Sequence, residues 1–316
     1  MYVVGEELPA VFGNSAPKGN YADMRTDGWE ASLSWRDSHK VAGKTLSYNI
    51  KVAVWDNTSK ITRYTAKTGT LPTNYSINYY EGMTLGEMWG YKCDGLFQSD
   101  EEAQTWANYS KFTNRSATWQ AGDPRYLDLN GDGYVNNGNN TIYDHGDLVK
   151  IGNTTPRYSY SIQGGVRWNG IGISMMWQGV GKRDWYPAKE SGYFWGQYGR
   201  PYSMALPWHN SDRWSPTNRG AYWPRLVGYS ASDSGLILAQ PNTRYVQDAS
   251  YIRLKNLTID YNFPKELVNK IGLQALKIYV SGENLLTFSP LKKYAKNYDP
   301  EGIYACLLYT SDAADE

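Results

Sequence analysis

Apolar and polar residues alternate with a period of two along several stretches of this chain, the spacing that puts successive strand side chains on opposite faces. At 29–35, Trp29, Ala31, Leu33 and Trp35 fall on one face and Glu30, Ser32 and Ser34 on the other. At 46–54, Leu46, Tyr48, Ile50, Val52 and Val54 oppose Ser47, Asn49 and Lys51. At 158–168, Tyr158, Tyr160, Ile162, Val166 and Trp168 oppose Ser159, Ser161, Gln163 and Arg167. Ile171, Ile173, Met175 and Trp177 follow directly, after an Asn169-Gly170 pair that signals a hairpin turn. Leu257, Ile259, Tyr261 and Phe263 form a fifth set, and Leu276, Ile278 and Val280 a sixth. The pattern predicts strands of about ten residues, the length a tilted strand needs to cross a bilayer.

The connections alternate as well. Those near 38–44, 169–170 and 264–274 are short, whereas 65–156 and 182–249 are long and lack sustained periodicity. Short turns at one end and long loops at the other are the arrangement of an outer-membrane barrel. Pro264 and Gly272 bracket a short predicted helix inside one turn, the one helical interruption expected. A water-soluble sandwich with one polar face would also alternate, so pattern alone leaves that rival open.

Composition narrows the choice. Net charge is +1, which gives no electrostatic footprint for nucleic acid. The rings are 28 Tyr and 13 Trp against 6 Phe, so nearly all carry a polar handle suited to wet–dry boundaries such as sugar-binding faces and membrane edges. Two cysteines, Cys93 and Cys306, make no disulfide framework. The first residues do not read as a signal peptide, and no apolar run reaches the 18 residues of a spanning helix. A β-barrel, whose strands are never continuously apolar, stays open.

Six ordered blocks, at 24–35, 81–106, 126–136, 146–168, 245–264 and 276–290, resemble the C-terminal part of SusC/RagA-type TonB-linked outer-membrane proteins of Bacteroidetes. The resemblance implies an all-β fold, part of a large antiparallel transmembrane β-barrel with long extracellular loops, here incomplete. It implies import of oligosaccharides or peptides, an N-terminal plug, a SusD-like surface lipoprotein as lid, and energy relayed through TonB. On this reading residues 1–305 are barrel, with plug and earlier strands absent, and 306–316 are a non-native tail resembling a translated sequencing adaptor. The alternative is a secreted β-rich glycan-binding module or glycoside hydrolase; a third, a calcium-dependent docking module, would need a helix pair around 128–147.

Two sets of candidate residues remain. Asp128, Asn130 and Asp132, with Gly133 and the carbonyl of Tyr134, sit at EF-hand-like spacing, where hard oxygens at alternate positions wrap a calcium ion. Position 12 is Asn139, so Asp144 or Asp147 would have to supply the missing carboxylate; otherwise the Asp and Asn side chains cap their own turn. Among the loop rings, Trp89, Tyr91, Trp208, Trp214 and Trp223 are candidates to stack on a sugar or hold a peptide side chain, or else to pack the loops together. Trp185, Tyr193 and Trp195 crowd the same loops, while Trp35, Trp168 and Trp177 are expected to face lipid. His39, His145 and His209 are scattered, and no motif for catalysis occurs.

Overall fold

A computed structural model describes residues 2–4, 18–65, 70–72, 78–110, 118–189, 191–199, 205–227, 238 and 240–303. The tail at 306–316, with Cys306, lies outside them. A short pair, β1 (Tyr2–Val4) and β2 (Lys18–Asn20), precedes two long strands, β3 (Ala22–Val41) and β4 (Lys44–Tyr64). The first long connection carries β5 (Glu87–Tyr91), β6 (Cys93–Leu96), α1 (Asp100–Ser110), β7 (Pro124–Tyr126) and β8 (Leu148–Asn153). Next come β9 (Arg157–Trp168) and β10 (Ile171–Lys182). The second connection carries β11 (Asp184–Trp185), α2 (Gly192–Trp195), α3 (Pro207–Ser211) and β12 (Gln247–Asp248). Last are β13 (Tyr251–Asn262), α4 (Lys265–Val268) and β14 (Lys277–Phe288).

Six strands make one antiparallel sheet in the order β14-β13-β10-β9-β4-β3, a meander that follows the chain. Its register lines the alternating positions up across the whole sheet. Leu33 lies opposite Val52, Val52 opposite Ile162, Ile162 opposite Trp177, Trp177 opposite Leu254, and Leu254 opposite Leu286. A second row runs through Tyr48, Val166, Ile173, Ile259 and Val280. Directly opposed residues share a face, so the apolar positions form one continuous band. The other face carries rows such as Arg36, Asn49, Gly165, Ser174, Thr258 and Ser281.

One irregularity explains how β13 stays in phase. Its apolar residues are Ile252 and Leu254 at even numbers, then Leu257, Ile259 and Tyr261 at odd ones. Because a one-residue slip would turn every side chain to the wrong face, the strand needs an extra residue where the parity changes. Met176 pairs with Asn256 and Trp177 with Leu254, which leaves Lys255 as that bulge.

Much of the apolar band is exposed, although Leu254 within it is buried and Val52, Ile162, Ile173 and Trp177 are half-buried. Leu33 is 75% and Val280 74% exposed, and Trp35, Met175, Ile259 and Ile278 are also exposed. The remaining sheets among the described residues are two-stranded, and none seals the band as the sandwich reading requires. At 20 and 21 residues, β3 and β4 exceed the expected ten. At about 3.3 Å per residue they project well beyond a bilayer, and the far end of β4 enters the loops.

Short turns lie at one end. Ala42 and Gly43 (φ 47° and 72°) and Asn169 and Gly170 (φ 48° and 87°) have the two positive φ values of a type I′ hairpin. At Gly170 an added Cβ would lie 2.7 Å from the Asn262 carbonyl. As predicted, a short helix fills the β13 to β14 turn: α4 runs on to Ile271 in one 3-10 turn, and Gly272 closes it at φ 74°. The expectation of a single helical interruption is corrected by α1, whose 11 residues lie in the first long connection. Its signal was readable: the Ser99 hydroxyl accepts the Glu102 N–H at 3.1 Å, and the Glu102 carboxylate accepts the Gln98 N–H, close to a capping box.

Candidate functional site: the loop body at one end of the wall

The long connections fold together. Their buried residues join the upper part of β4, through Ile61, in one core that includes Trp89, Tyr91, Phe97, Trp119, Trp185, Phe194, Trp195, Trp223 and Tyr245. The segment after β14 adds Leu291, Ala295 and Ile303. So many Trp and Tyr residues make this possible because each ring buries a large area at the cost of few rotatable bonds.

Backbone and charge join the loops. The Tyr91 N–H donates to the Pro241 carbonyl at 2.9 Å, and the Thr243 N–H returns to the Tyr91 carbonyl at 3.0 Å. Gly90 permits that approach, since a Cβ there would run into the Pro241 carbonyl. Arg225 in the second loop reaches Asp123 in the first with both carboxylate oxygens, at 2.7 and 3.2 Å, and Asp123 is fully buried. Removing either partner would leave an uncompensated charge in the interior. The later segment is held by rings: Tyr294 stacks on Tyr222 with centroids 3.6 Å apart, and Tyr298 packs on Trp185 at 4.7 Å.

Two titratable groups are tuned by this packing. Burial pushes the His209 imidazole below its ordinary pKa, and the Phe194 carbonyl, 2.7 Å from Nε2, opposes that only in part. Glu87 is buried, which by itself would raise its pKa. Bonds from the Tyr80 hydroxyl, the Lys150 ammonium and the Thr84 N–H outweigh burial and hold the carboxyl below its usual range.

The candidate rings separate into two groups. Trp89, Tyr91 and Trp223 are inside the core, enclosed on all sides, so they act in packing and present no free face; the expectation that they meet a ligand is corrected to that extent. Trp208 and Trp214 are half-buried. Among the described residues the buried indole N–H groups of Trp208, Trp214 and Trp223 meet no acceptor, and the backbones of Trp214 and Trp223 are tied to the loop by hydrogen bonds to the Trp223 and Asp212 carbonyls. Trp185 and Trp195 are also buried, while Tyr193 is exposed. On the wall, Trp35 and Trp168 are exposed on the apolar face and Trp177 is half-exposed there, as expected.

The acidic turn is self-satisfied. Asp128 accepts the N–H groups of Gly131 and Gly133 at 2.7 and 2.9 Å; Asn130 accepts from Asp132, and Asp132 from Tyr134. The buried Asp147 accepts from Leu129 at 2.7 Å and Asn136 at 2.8 Å, clamping both ends of the turn. Asp144 stands apart, accepting from the Asn139 amide and the Thr141 hairpin. Of the two carboxylates expected to complete the ligand set, Asp147 is thus drawn to the turn and Asp144 is not, and among the described residues no three His, Cys, Asp or Glu side chains gather as a metal-holding group. Nor does a helix pair flank the turn: α1 precedes it and β8 follows.

A cluster that sequence reasoning missed lies on the polar face. Arg253 sits in the row of Ser161, Gln178 and Thr287. It binds Asp299 and Glu301 of the segment after β14, while Lys255 reaches Glu301 at 3.0 Å. These pairs strap that segment across the polar side of the wall. Their partners are more than 40 residues apart, so no local motif announces them.

Known proteins agree with this geometry. No protein-family model matches the chain. It is 25% identical over 307 residues to TonB-dependent receptor P3 of Formosa agariphila, covering 94% of this chain and 27% of the relative. It is 23% identical over 319 residues to TonB-dependent receptor P39 of the same organism, covering 91% and 29%. The chain thus spans under a third of the length of these curated relatives. Among solved structures it resembles the RagAB peptide transporter with a TM-score of 0.63 and 17% identity, over 95% of this chain and 29% of that one. A RagAB peptide importer in an "open-open" state gives 0.63 and 18%, over 95% and 28%. The fold class is confirmed by this likeness: the chain is mostly antiparallel β-sheet with the fold of part of those transporters, and the sheet does not close on itself among the described residues.

Proposed function

We propose that this chain, a relative of the SusC/RagA-type TonB-dependent receptors, builds part of the wall and outer mouth of an importer in the bacterial outer membrane. The observation that carries the reading is the band of apolar side chains, continuous in register across six strands and for the most part exposed. In water such a surface would associate; against lipid it is the contact a barrel requires. The opposite, polar face then borders an aqueous passage, and the loop body stands at its extracellular end.

The cargo is an oligosaccharide or a peptide, a SusD-like lipoprotein covers the mouth, and TonB supplies the energy through a region outside this chain. Relatives named as receptors, and no enzyme among them, support a transport role without a catalytic step. Trp208 and Trp214, half-buried at the loop surface, are the rings best placed to touch cargo or lid. The 128–147 turn shapes its loop with or without calcium; proteolysis of that loop in the full-length protein, with and without the ion, distinguishes the two.

The test is uptake by cells carrying the full-length protein, offered labelled oligosaccharides and labelled peptides separately. Uptake of one class should fall to background when TonB or the lipoprotein gene is deleted. Uptake that persists without TonB contradicts active import.

A further inference from the structure

The segment after β14 sorts its charges. Between Pro290 and Ile303 it carries Lys292, Lys293 and Lys296, then Asp299 and Glu301. Both carboxylates turn to the wall. Arg253, whose side chain is only 9% exposed, holds Asp299 with one terminal nitrogen and Glu301 at 2.6 Å with the other, and its Nε donates to the Thr287 hydroxyl at 2.9 Å. Lys255, the bulge residue, reaches the same Glu301. The three lysines are exposed, and among the described residues no ion pair involves them. Lys292 donates to the Thr287 carbonyl at 3.1 Å, Lys293 lies 4.9 Å from the centre of the Tyr294 ring, and Lys296 lies 5.7 Å from that of Trp208.

Packing fixes where those ammoniums stand. Leu291, Ala295 and Ile303 are buried in the loop core and Tyr294 stacks on Tyr222, so apolar contacts pin the segment as well as its acids. Fixed cations beside aromatic faces, with the neighbouring carboxylates turned away, are the complement of a ligand that carries negative charge on an apolar-faced ring. The first connection has the opposite sign. There α1 opens with Asp100, Glu101 and Glu102, and the turn beyond it carries Asp128, Asp132 and Asp144, so an anion is repelled from that side of the loop body and drawn to the lysines.

We infer that the cargo is an acidic oligosaccharide, its carboxylate or sulfate groups held by Lys292, Lys293 and Lys296 beside Trp208. The inference rests on the import reading and narrows it. A pyranose carries its C–H face and its charged group on one rigid unit, which suits an indole with an ammonium beside it. An acidic peptide, whose carboxylates hang on flexible side chains, must order more bonds to meet the same pair.

The purified full-length protein in detergent at low salt is titrated with hexagalacturonate, its neutral methyl ester, a sulfated hexasaccharide and hexa-aspartate. An acidic sugar should bind about tenfold more tightly than the ester, and added salt should erase the difference. Lys292→Gln, Lys293→Gln and Lys296→Gln combined should lower its affinity about tenfold and leave that of the ester unchanged. Lys265→Gln with Lys270→Gln, exposed at the short-turn end, should change neither. Equal affinity for acid and ester, an acid preference that survives the triple substitution, or no binding of either acidic sugar overturns the site. Tighter, lysine-dependent binding of hexa-aspartate overturns the oligosaccharide in favour of an acidic peptide. Lysine-dependent binding of an acidic sugar whose cellular uptake persists without TonB upholds the site and contradicts active import, so the two readings fail separately.

Discussion

The wall and the loop body use the same kinds of side chain in opposite ways. Trp35 on the wall is 63% exposed, whereas Trp223 in the loops is fully buried. Leu33 and Val280 lie bare on the sheet, while Leu148 and Leu291 of the loops are sealed. The loop body therefore carries its own hydrophobic core and has what it needs to hold together in water. The wall lacks a core of its own: its apolar face is largely exposed among the described residues, and on the proposed reading lipid is its solvent. On that reading one chain serves two solvents, and the division falls where β4 runs past its pairing with β9, still paired with β3, and its Ile61 joins the loop core.

The comparison can be broken most strongly in the loops. Truncating Trp223 removes a ring packed against Phe194, Tyr198, His209 and Tyr245. Trp223→Ala should cost the loop body about 3–5 kcal/mol. Limited proteolysis of the full-length protein should then cut the loops while the barrel keeps its resistance to heating in detergent; loss of both together would mean that loops and wall are not separable.

On the wall, Leu33→Arg is the sharper instrument. In water, arginine at so exposed a site would change stability little; facing lipid near mid-bilayer, it should cost about 2–4 kcal/mol. Ser34→Arg, one residue along on the polar face, should cost far less. Urea unfolding in lipid vesicles measures both, and equal effects would contradict two-faced exposure.

Asp147→Ala removes the acceptor of three backbone N–H groups, those of Leu129, Asn130 and Asn136, from a buried site and should loosen the 128–147 turn by about 1–3 kcal/mol. Hydrogen exchange at Leu129 and Asn136 should rise, with the wall unaffected.

The smallest effect is that of pH. Because burial holds the folded-state pKa of His209 below its unfolded value, the unfolded chain binds more protons under acid conditions. Its contribution to stability is present above the unfolded value, near 6.5, and is lost as pH falls below it. The loop body should become more protease-sensitive between about pH 7 and pH 5, and His209→Gln should flatten that dependence.

How much of this was legible in the sequence depends on the range of the interactions. The strands and their faces were readable because a two-residue period is local, as were the Asn169-Gly170 hairpin and the helix between Pro264 and Gly272. The bulge at Lys255 left a trace in the shift from Leu254 to Leu257, and α1 left one in the spacing of Ser99 and Glu102. The fate of the loop rings was not readable: burial of Tyr91 depends on Pro241, in the other long connection, and that of Trp89 and Trp223 on rings with no fixed spacing to them, such as His145 and Tyr245. A composition rich in Trp and Tyr suits a binding surface and an interior equally well. The acidic turn is the opposite case, since its spacing is local but the clamp from Asp147 decides its geometry.

The most direct measurement places single fluorescent labels along 30–36 and 48–54 of the full-length protein in vesicles, then compares quenching by lipid-borne and by water-soluble quenchers. Two-faced exposure predicts strict alternation, with Leu33, Trp35, Ile50 and Val52 positions quenched from lipid and Ser34, Arg36, Asn49 and Lys51 positions from water. If both sets are shielded from lipid, or both equally open to water, the band does not face a membrane and the account fails.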